Sequence, residues 1–389
     1  MMMHKVLKRV LAVAVAVSVL SGCASEVDSI QMAPLPKVDN TFTPKTDWSR
    51  SVGNGVSGYY SKLTPVVGLD KVYVADRDGL IEALNPANGK VEWETDLEKD
   101  SSALLTGGLV LGDGKLFVGT ANAKVIALDA ETGKEVWRTT VAGEVLSKPL
   151  VSDGLVVVNT SLGVLQALDA ETGASKWQVS NEVPTLTLRG DSSPVAVSGG
   201  VFWGLANGRL AGALMSDGRM LWQQSIAAPK GSTEIDRLVD VDASPVIDGD
   251  RLYAVGYNGS LVSIDLRSGQ IAWKRNYSSA TDFVIDGSEL FLVTAKDHIV
   301  AVDARSGTEL WQNTDLQYRQ LSAPAVIDGY LVVGDAEGYL HWLDTQSGEF
   351  VSQESVDGSG IAVPPVALDD NGFIVVTRDG EINKMQIPQ

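Results

Sequence analysis

The sequence predicts an all-β fold: an eight-bladed β-propeller of four-stranded antiparallel blades, with its ring closed by an N-terminal strand. Three observations predict it. One phrase recurs along the chain, as Val125-Ile-Ala-Leu-Asp-Ala-Glu-Thr-Gly133-Lys-Glu-Val-Trp137 and again as Leu165-Gln-Ala-Leu-Asp-Ala-Glu-Thr-Gly173-Ala-Ser-Lys-Trp177. Each repeat holds four short, β-branched apolar runs within about 40–50 residues, the period of a propeller blade. Gly and Asp punctuate these runs at hairpin spacing, as in Asp113-Gly, Asp153-Gly, Asp328-Gly and Ser347-Gly, and no run is long enough for a helix.

The elements follow in order. Asp47-Trp48 precedes the first full repeat at blade-like distance from Trp93, and supplies the closing strand. Apolar runs then appear at Val72–Ala75, Leu116–Gly119, Leu155–Val158, Val201–Gly204, Leu252–Val255, Leu290–Val293 and Leu331–Gly334. Each is followed by a copy of the phrase, from Ile81 to Trp93, Val125 to Trp137, Leu165 to Trp177, Leu210 to Trp222, Leu261 to Trp273, Ile299 to Trp311 and Leu340 to Val351. Most repeats open on Pro and an apolar residue, as at Pro149, Pro194, Pro245 and Pro324; the sixth lacks this Pro. The Thr-Gly or Ser-Gly of the phrase turns the third strand into the fourth, where Gly accepts positive φ. The Trp opens the fourth strand and wedges against the next blade. After the seventh copy come Pro365-Val-Ala, Phe373–Val376 and Glu381–Met385, an eighth blade lacking its last strand. The strand around Trp48 completes it, which removes two open sheet edges.

Ahead of the repeats lies an export signal. His4, Lys5, Lys8 and Arg9 precede the small and apolar run Val10 to Leu20, which is 11 residues long. A bilayer-spanning helix needs about 20, so the run is a signal h-region. It ends in Leu20-Ser21-Gly22-Cys23, which resembles the lipobox of bacterial lipoproteins; Cys23 is the only cysteine in the chain. The resemblance implies cleavage of residues 1–22, acylation of Cys23 and, with Ala24 rather than Asp following, retention at the outer membrane facing the periplasm. Residues 23–46 carry Pro34, Pro36 and Pro44 among polar residues and are expected to be a flexible tether, leaving 47–389 as the propeller. Cleavage removes three cations and no acid, so the 31 Lys plus Arg become 28 against 49 Asp plus Glu, a formal charge of −21. Such a surface repels nucleic acid and leaves the lipid as the membrane attachment.

The phrase Ala-x-Asp-x-x-Thr-Gly-x-x-x-Trp resembles the tryptophan-docking motif of pyrroloquinoline-quinone-type propellers, a likeness that is specific for fold and not for function. Quinone dehydrogenases of that fold carry a vicinal Cys pair and Ca²⁺ ligands; this chain has no cysteine beyond Cys23, and no cofactor is expected. No catalytic residue emerges either. His298 and His341 lie in strand runs and read as packing or surface groups. Gly53-x-Gly55-x-x-Gly58 matches a dinucleotide fingerprint, but no helix follows it, so it reads as a flexible connection into the first blade. Asp240-x-Asp242 lacks a third ligand at loop spacing, so no metal is expected there.

Partner binding is written in the connectors between blades, all of which emerge on one face. From Trp to the following Pro, two connectors span 12 positions (Trp137 to Pro149) and 13 (Trp311 to Pro324), whereas Trp177 to Pro194 spans 17 and Trp222 to Pro245 spans 23. The two long ones flank a single blade and must lie side by side, and excess loop length is where binding concentrates. The first contains Val183-Pro-Thr-Leu186-Thr-Leu188-Arg189-Gly190; the second contains Gly231-Ser-Thr-Glu234-Ile-Asp236-Arg237-Leu-Val-Asp240-Val-Asp242. Apolar anchors, an Arg and carboxylates fit a protein interface. The alternative is that both leucines pack under their own loop while the acids are solvated.

These segments, with Val333-Gly-Asp-Ala-Glu-Gly-Tyr-Leu-His-Trp342, are similar to those of the outer-membrane assembly-factor lipoproteins. That resemblance implies a non-enzymatic scaffold in the β-barrel assembly complex, one copy per complex, docked on the POTRA domains of the central barrel subunit. It implies contact through Leu186, Leu188, Arg189, Asp240 and Asp242, with unfolded outer-membrane proteins as further partners. A periplasmic quinone-binding propeller, dehydrogenase or sensor, is the alternative function.

Overall fold

Each repeat folds into four strands because its apolar runs must be buried on different numbers of sides. The third strand of the third blade, Val164–Asp169, is buried almost throughout, whereas the fourth, Ser175–Ser180, alternates exposed and half-buried residues. Inner strands are covered by blades on both faces, and the outer strand is not. The computed structural model describes residues 30–97, 102–369 and 371–388, and every regular element among them is a strand. Cys23 and the signal segment lie outside the described residues.

Eight four-stranded antiparallel sheets follow one another around the ring. Blades 1 to 7 span 66–96, 105–140, 150–180, 195–225, 246–275, 284–313 and 325–355. Blade 8 takes Val366–Ala367, Gly372–Val376 and Glu381–Gln386 from the C-terminus, and its outer strand is Lys45–Ser51. That strand pairs from Lys45 with Gln386 to Ser51 with Glu381. The join is packed as well as hydrogen-bonded: Ile374 and Ile382 of blade 8 share one apolar cluster with Val72, Val74 and Leu84 of blade 1. The ring is closed by the strand that the position of Trp48 predicts.

The recurrent phrase has a local physical basis. Asp129 Oδ1 accepts bonds from the Thr132 amide and hydroxyl at 2.8 and 2.7 Å, and Asp169, Asp265, Asp303 and Asp344 repeat this with Thr172, Ser268, Ser306 and Ser347. The following Gly then turns with positive φ, +69° at Gly133. The Trp of the preceding blade lies flat on that glycine and donates its indole N–H to a carbonyl of the same turn. Trp93 reaches Ala130 O, Trp137 reaches Ala170 O and Trp273 reaches Ala304 O, each at 3.0 Å. The same ring meets an aromatic residue of its own blade, as in Phe117–Trp137, with centroids 5.8 Å apart. A Cβ at Gly133 would lie 2.4 Å from Trp93 Cε3. Gly133→Ala is therefore expected to cost about 2–4 kcal/mol, from the left-handed backbone and the overlap together. Denaturant melts of the two proteins measure it.

The seventh phrase lacks its Trp, and Ser352 stands in the corresponding register opposite Trp342, for a structural reason. Blade 8 has no turn between its third and fourth strands, because its fourth strand comes from the other end of the chain. No glycine is there to dock on. Phe42 fills the space, 6.0 Å from Trp342 and 5.1 Å from Tyr330 between ring centroids.

Two expectations of flexibility are corrected. The tether expected over 23–46 is held from Ala33 onward. Ala33 N donates to Gln317 O and Ala33 O accepts from Arg319 at 2.9 Å; Thr41 N donates to Val351 O at 2.8 Å; Ser352 donates to Phe42 O at 2.6 Å. A polar, proline-rich stretch need not be free when a strand edge and a buried Arg offer partners. Arg319 itself is fixed by Asp335 at 2.7 Å, which also meets the buried His341 at 2.9 Å. The connection from Val52 to Pro65 is likewise ordered: Val52 N donates to Gly380 O, Val56 N to Arg378 O and Arg77 N to Gly55 O. Gly53 and Gly55 take positive φ, +52° and +63°, so this glycine pattern serves a tight turn.

Candidate partner-docking interface

The two long connectors do lie side by side. Residues 181–194 run from the outer strand of blade 3, and residues 226–245 from that of blade 4. Ser192 donates to Ala243 O at 3.2 Å, and a Cβ at Gly190 would lie 2.9 Å from Asp242 Oδ2. The second connector is itself braced. Asp236 and Thr233 exchange side-chain-to-backbone bonds at 3.1 and 3.2 Å, and Asn258 donates to Leu238 O at 3.0 Å.

The residues expected at the interface divide into two groups. Leu186 is 44% exposed, and Leu188 is half-buried. The Arg189 side chain is 55% exposed and meets Glu144 at 3.2 Å. Asp240 and Asp242 are not a solvated rim, being only 1% and 5% exposed. The strand-like segment Val239 to Ala243 packs inward on both sides, with Val241 against Gly204, so its acids face protein. Asp240 stands beneath the first connector, where the Leu188 amide and its own amide are the groups that partly offset its charge. Its two oxygens have no well-formed hydrogen bond.

Burial dominates the electrostatics below the loops. It pushes Asp240 up to about 6. Burial and the neighbouring Asp240 push Asp242 up to about 7, against the pull of Lys62. Burial, then the charge of Asp242, holds Asp191 well above the usual carboxylate range. Lys62 is committed to Asp282 at 3.3 Å and to the Asp242 carbonyl at 3.4 Å. A buried carboxyl with a raised pKa binds its proton in the folded state at a pH where the unfolded chain has lost it. Its contribution is therefore full below about pH 4 and is lost as pH rises through about 6 to 7. Stability is expected to fall across that window by several kcal/mol for the two groups together. Asp242→Asn should flatten the profile; melts from pH 4.5 to 8 measure it.

Four participants were not expected from the sequence. Ile235, 71% exposed, crowns the second connector. Glu144 sits in the short connector from Trp137 to Pro149, whose length gave no signal. Tyr60 and Lys62 come from the turn-rich entry to blade 1, and only ring closure brings them under blade 4. Among the described residues, no group of three or more His, Cys, Asp and Glu could hold a metal ion.

A family profile described as outer membrane protein assembly factor BamB matches residues 77–313 and 295–387. The BamB of Aliivibrio fischeri is 60% identical over 99% of this chain and 100% of its own. The chain belongs to the BamB family. The Escherichia coli K12 BamB is 47% identical over 94% of this chain and 95% of its own. The crystal structure of BamB from Moraxella catarrhalis superposes with a TM-score of 0.80 at 28% identity, covering 88% of this chain and all of that one. A europium-containing methanol dehydrogenase also superposes, with a TM-score of 0.72 over 86% of this chain and 84% of its own. At 16% identity that likeness is one of fold alone, and the quinone-enzyme reading is the distant one beside BamB.

Proposed function

We propose that this outer-membrane protein assembly factor is a non-enzymatic scaffold that docks on the POTRA domains of a central barrel subunit through the face built by its two long connectors. Leu186 and Leu188 supply the apolar anchor, and Arg189 supplies a guanidinium for a partner carboxylate. Asp240 and Asp242 act through the loops: they are covered in the free protein, so their part is to position the Leu188–Gly190 backbone. The observation that carries this reading is the junction itself. Two oversized connectors touch one another, and present Leu186 and Arg189 outward from a braced base.

Anchoring completes the reading. The signal 1–22 is removed and Cys23 is acylated, so the propeller is held at the periplasmic face of the outer membrane. One copy enters the complex, and unfolded barrel proteins pair with free outer strands. The outer strand of blade 7, Phe350–Ser355, already carries residues 40–42 on its edge. Tagged mature protein captured from solubilised outer membranes is the test. The expected co-purifying species is a membrane-embedded barrel protein with periplasmic domains. Capture of none, or a bound redox chromophore in the absorbance spectrum, would favour the quinone-binding alternative.

A further inference from the structure

The turns between the second and third strands of the blades form a set of eight equivalent positions. The same backbone bond closes the turn in blade 3, from Thr160 N to Val164 O, and in blade 7, from Asp335 N to Tyr339 O, both at 3.0 Å. The residue at the tip is Asn in blades 2, 4 and 5, at Asn122, Asn207 and Asn258. It is charged in blades 1, 6, 7 and 8, at Asp78, Lys296, Glu337 and Asp379. Blade 3 alone carries an apolar residue there, Leu162, and it is 61% exposed. Polar side chains suit a solvated turn because they bond to water and to its backbone; a leucine does neither. Lone apolar residues are ordinary on a protein surface. This one departs from seven equivalent positions, in the blade whose outer strand feeds the first long connector.

Its surroundings are those of the connector face. Ser161 N donates to Glu144 O at 3.0 Å, and a Cβ at Gly143 would lie 2.9 Å from Leu162 Cγ, so the leucine stands on the backbone of the connector that carries Glu144. The Glu144 carboxylate in turn meets Arg189 at 3.2 Å. On the other side of the turn, a Cβ at Gly163 would lie 2.5 Å from Val183 Cγ2, at the start of the first long connector. Leu162 is therefore continuous with Arg189 through Glu144, and with the segment leading to Leu186 through Val183. We infer that Leu162 is a second apolar anchor for the partner, which presents an apolar side chain to it on the blade 2 side of the Glu144–Arg189 pair. The inference rests on the docking face proposed for the two long connectors. Apolar contacts on either side of a charged pair match the anatomy of an interface between proteins. A second copy of this chain is a poor occupant, because each copy brings a strong net negative charge.

The test is binding of the mature protein to the barrel subunit that it captures, by surface plasmon resonance, beside a melt of every variant. Leu162→Asn installs the residue that three equivalent turns already hold, so the fold accommodates it. It is expected to weaken binding about tenfold at an unchanged melting temperature, whereas Leu162→Met keeps the parent affinity. Full affinity in Leu162→Asn, beside its loss in Leu186→Glu, would overturn this anchor and leave the docking face standing. Full affinity in both, or capture of no such subunit, would overturn the two together. A lowered melting temperature in Leu162→Asn would assign the leucine to the fold instead. A dimer of the parent protein that this substitution dissociates would assign it to a second copy.

Discussion

A chain shortened to begin at Val52 is expected to lose cooperative unfolding altogether. The deletion removes the outer strand of blade 8, and with it the pairing of Lys45–Ser51 against Glu381–Gln386. It also removes Trp48, which lies on Gly89 and donates to Pro86 O at 3.0 Å, the contact that ties blade 8 to blade 1. Arg50 leaves too, stripping the buried Glu82 of its ion pair at 3.0 Å. An uncompensated carboxylate costs about 3–5 kcal/mol when one partner of a buried pair is lost. A lost docking Trp costs a comparable 3–5 kcal/mol. Together these approach the whole net stability of about 5–15 kcal/mol that folded proteins hold. Near-UV circular dichroism with urea melts measures the outcome; a truncated chain melting at the full-length midpoint would mean that the ring does not depend on its closing strand. Trp48→Ala in the complete chain should give a partial version of the same loss.

Leu186→Glu is expected to weaken partner capture by a factor on the order of 100 while leaving the fold intact. The side chain is 44% exposed in the free protein, so a carboxylate there stays solvated and costs little stability. In a complex it would be buried against apolar surface. Hot-spot positions lose about 2–4 kcal/mol on truncation, or roughly 30- to 1000-fold in affinity, and burying the new carboxylate adds to that. Arg189→Ala should act in the same direction with a stronger dependence on salt, because its guanidinium already trades solvent for Glu144 at 3.2 Å. Asp242→Asn should act weakly, since the amide keeps the shape beneath Gly190. Equal losses for Leu186→Glu and Asp242→Asn would assign both to the interior. Binding measured by surface plasmon resonance on the captured partner, beside a melt of each variant, separates the cases.

What was legible in the sequence is what the local chain determines. The Asp129–Thr132–Gly133 turn and the Trp that docks on it lie within short stretches of chain, so their repetition reveals the blade, its strands and their number. Connector length is also local, and it placed the two loops side by side. Burial of Asp240 and Asp242 was not legible, because an alternating apolar and acidic run reads as half-exposed until the neighbours on its acid side are known. Those neighbours are remote: Lys62 meets the Asp242 carbonyl from 180 positions away and Asp282 from 220. Both contacts exist only because the ends of the chain meet in the ring.

The central claim is that the connector face, and not the opposite rim, carries the partner. A photo-crosslinking amino acid at position 186, and separately at 153 in the hairpin turn on the opposite rim, tests it in intact outer membranes. The account predicts a discrete adduct from 186 with a barrel subunit of the assembly machinery, and none with that protein from 153. An adduct from 153 with nothing from 186 would contradict it.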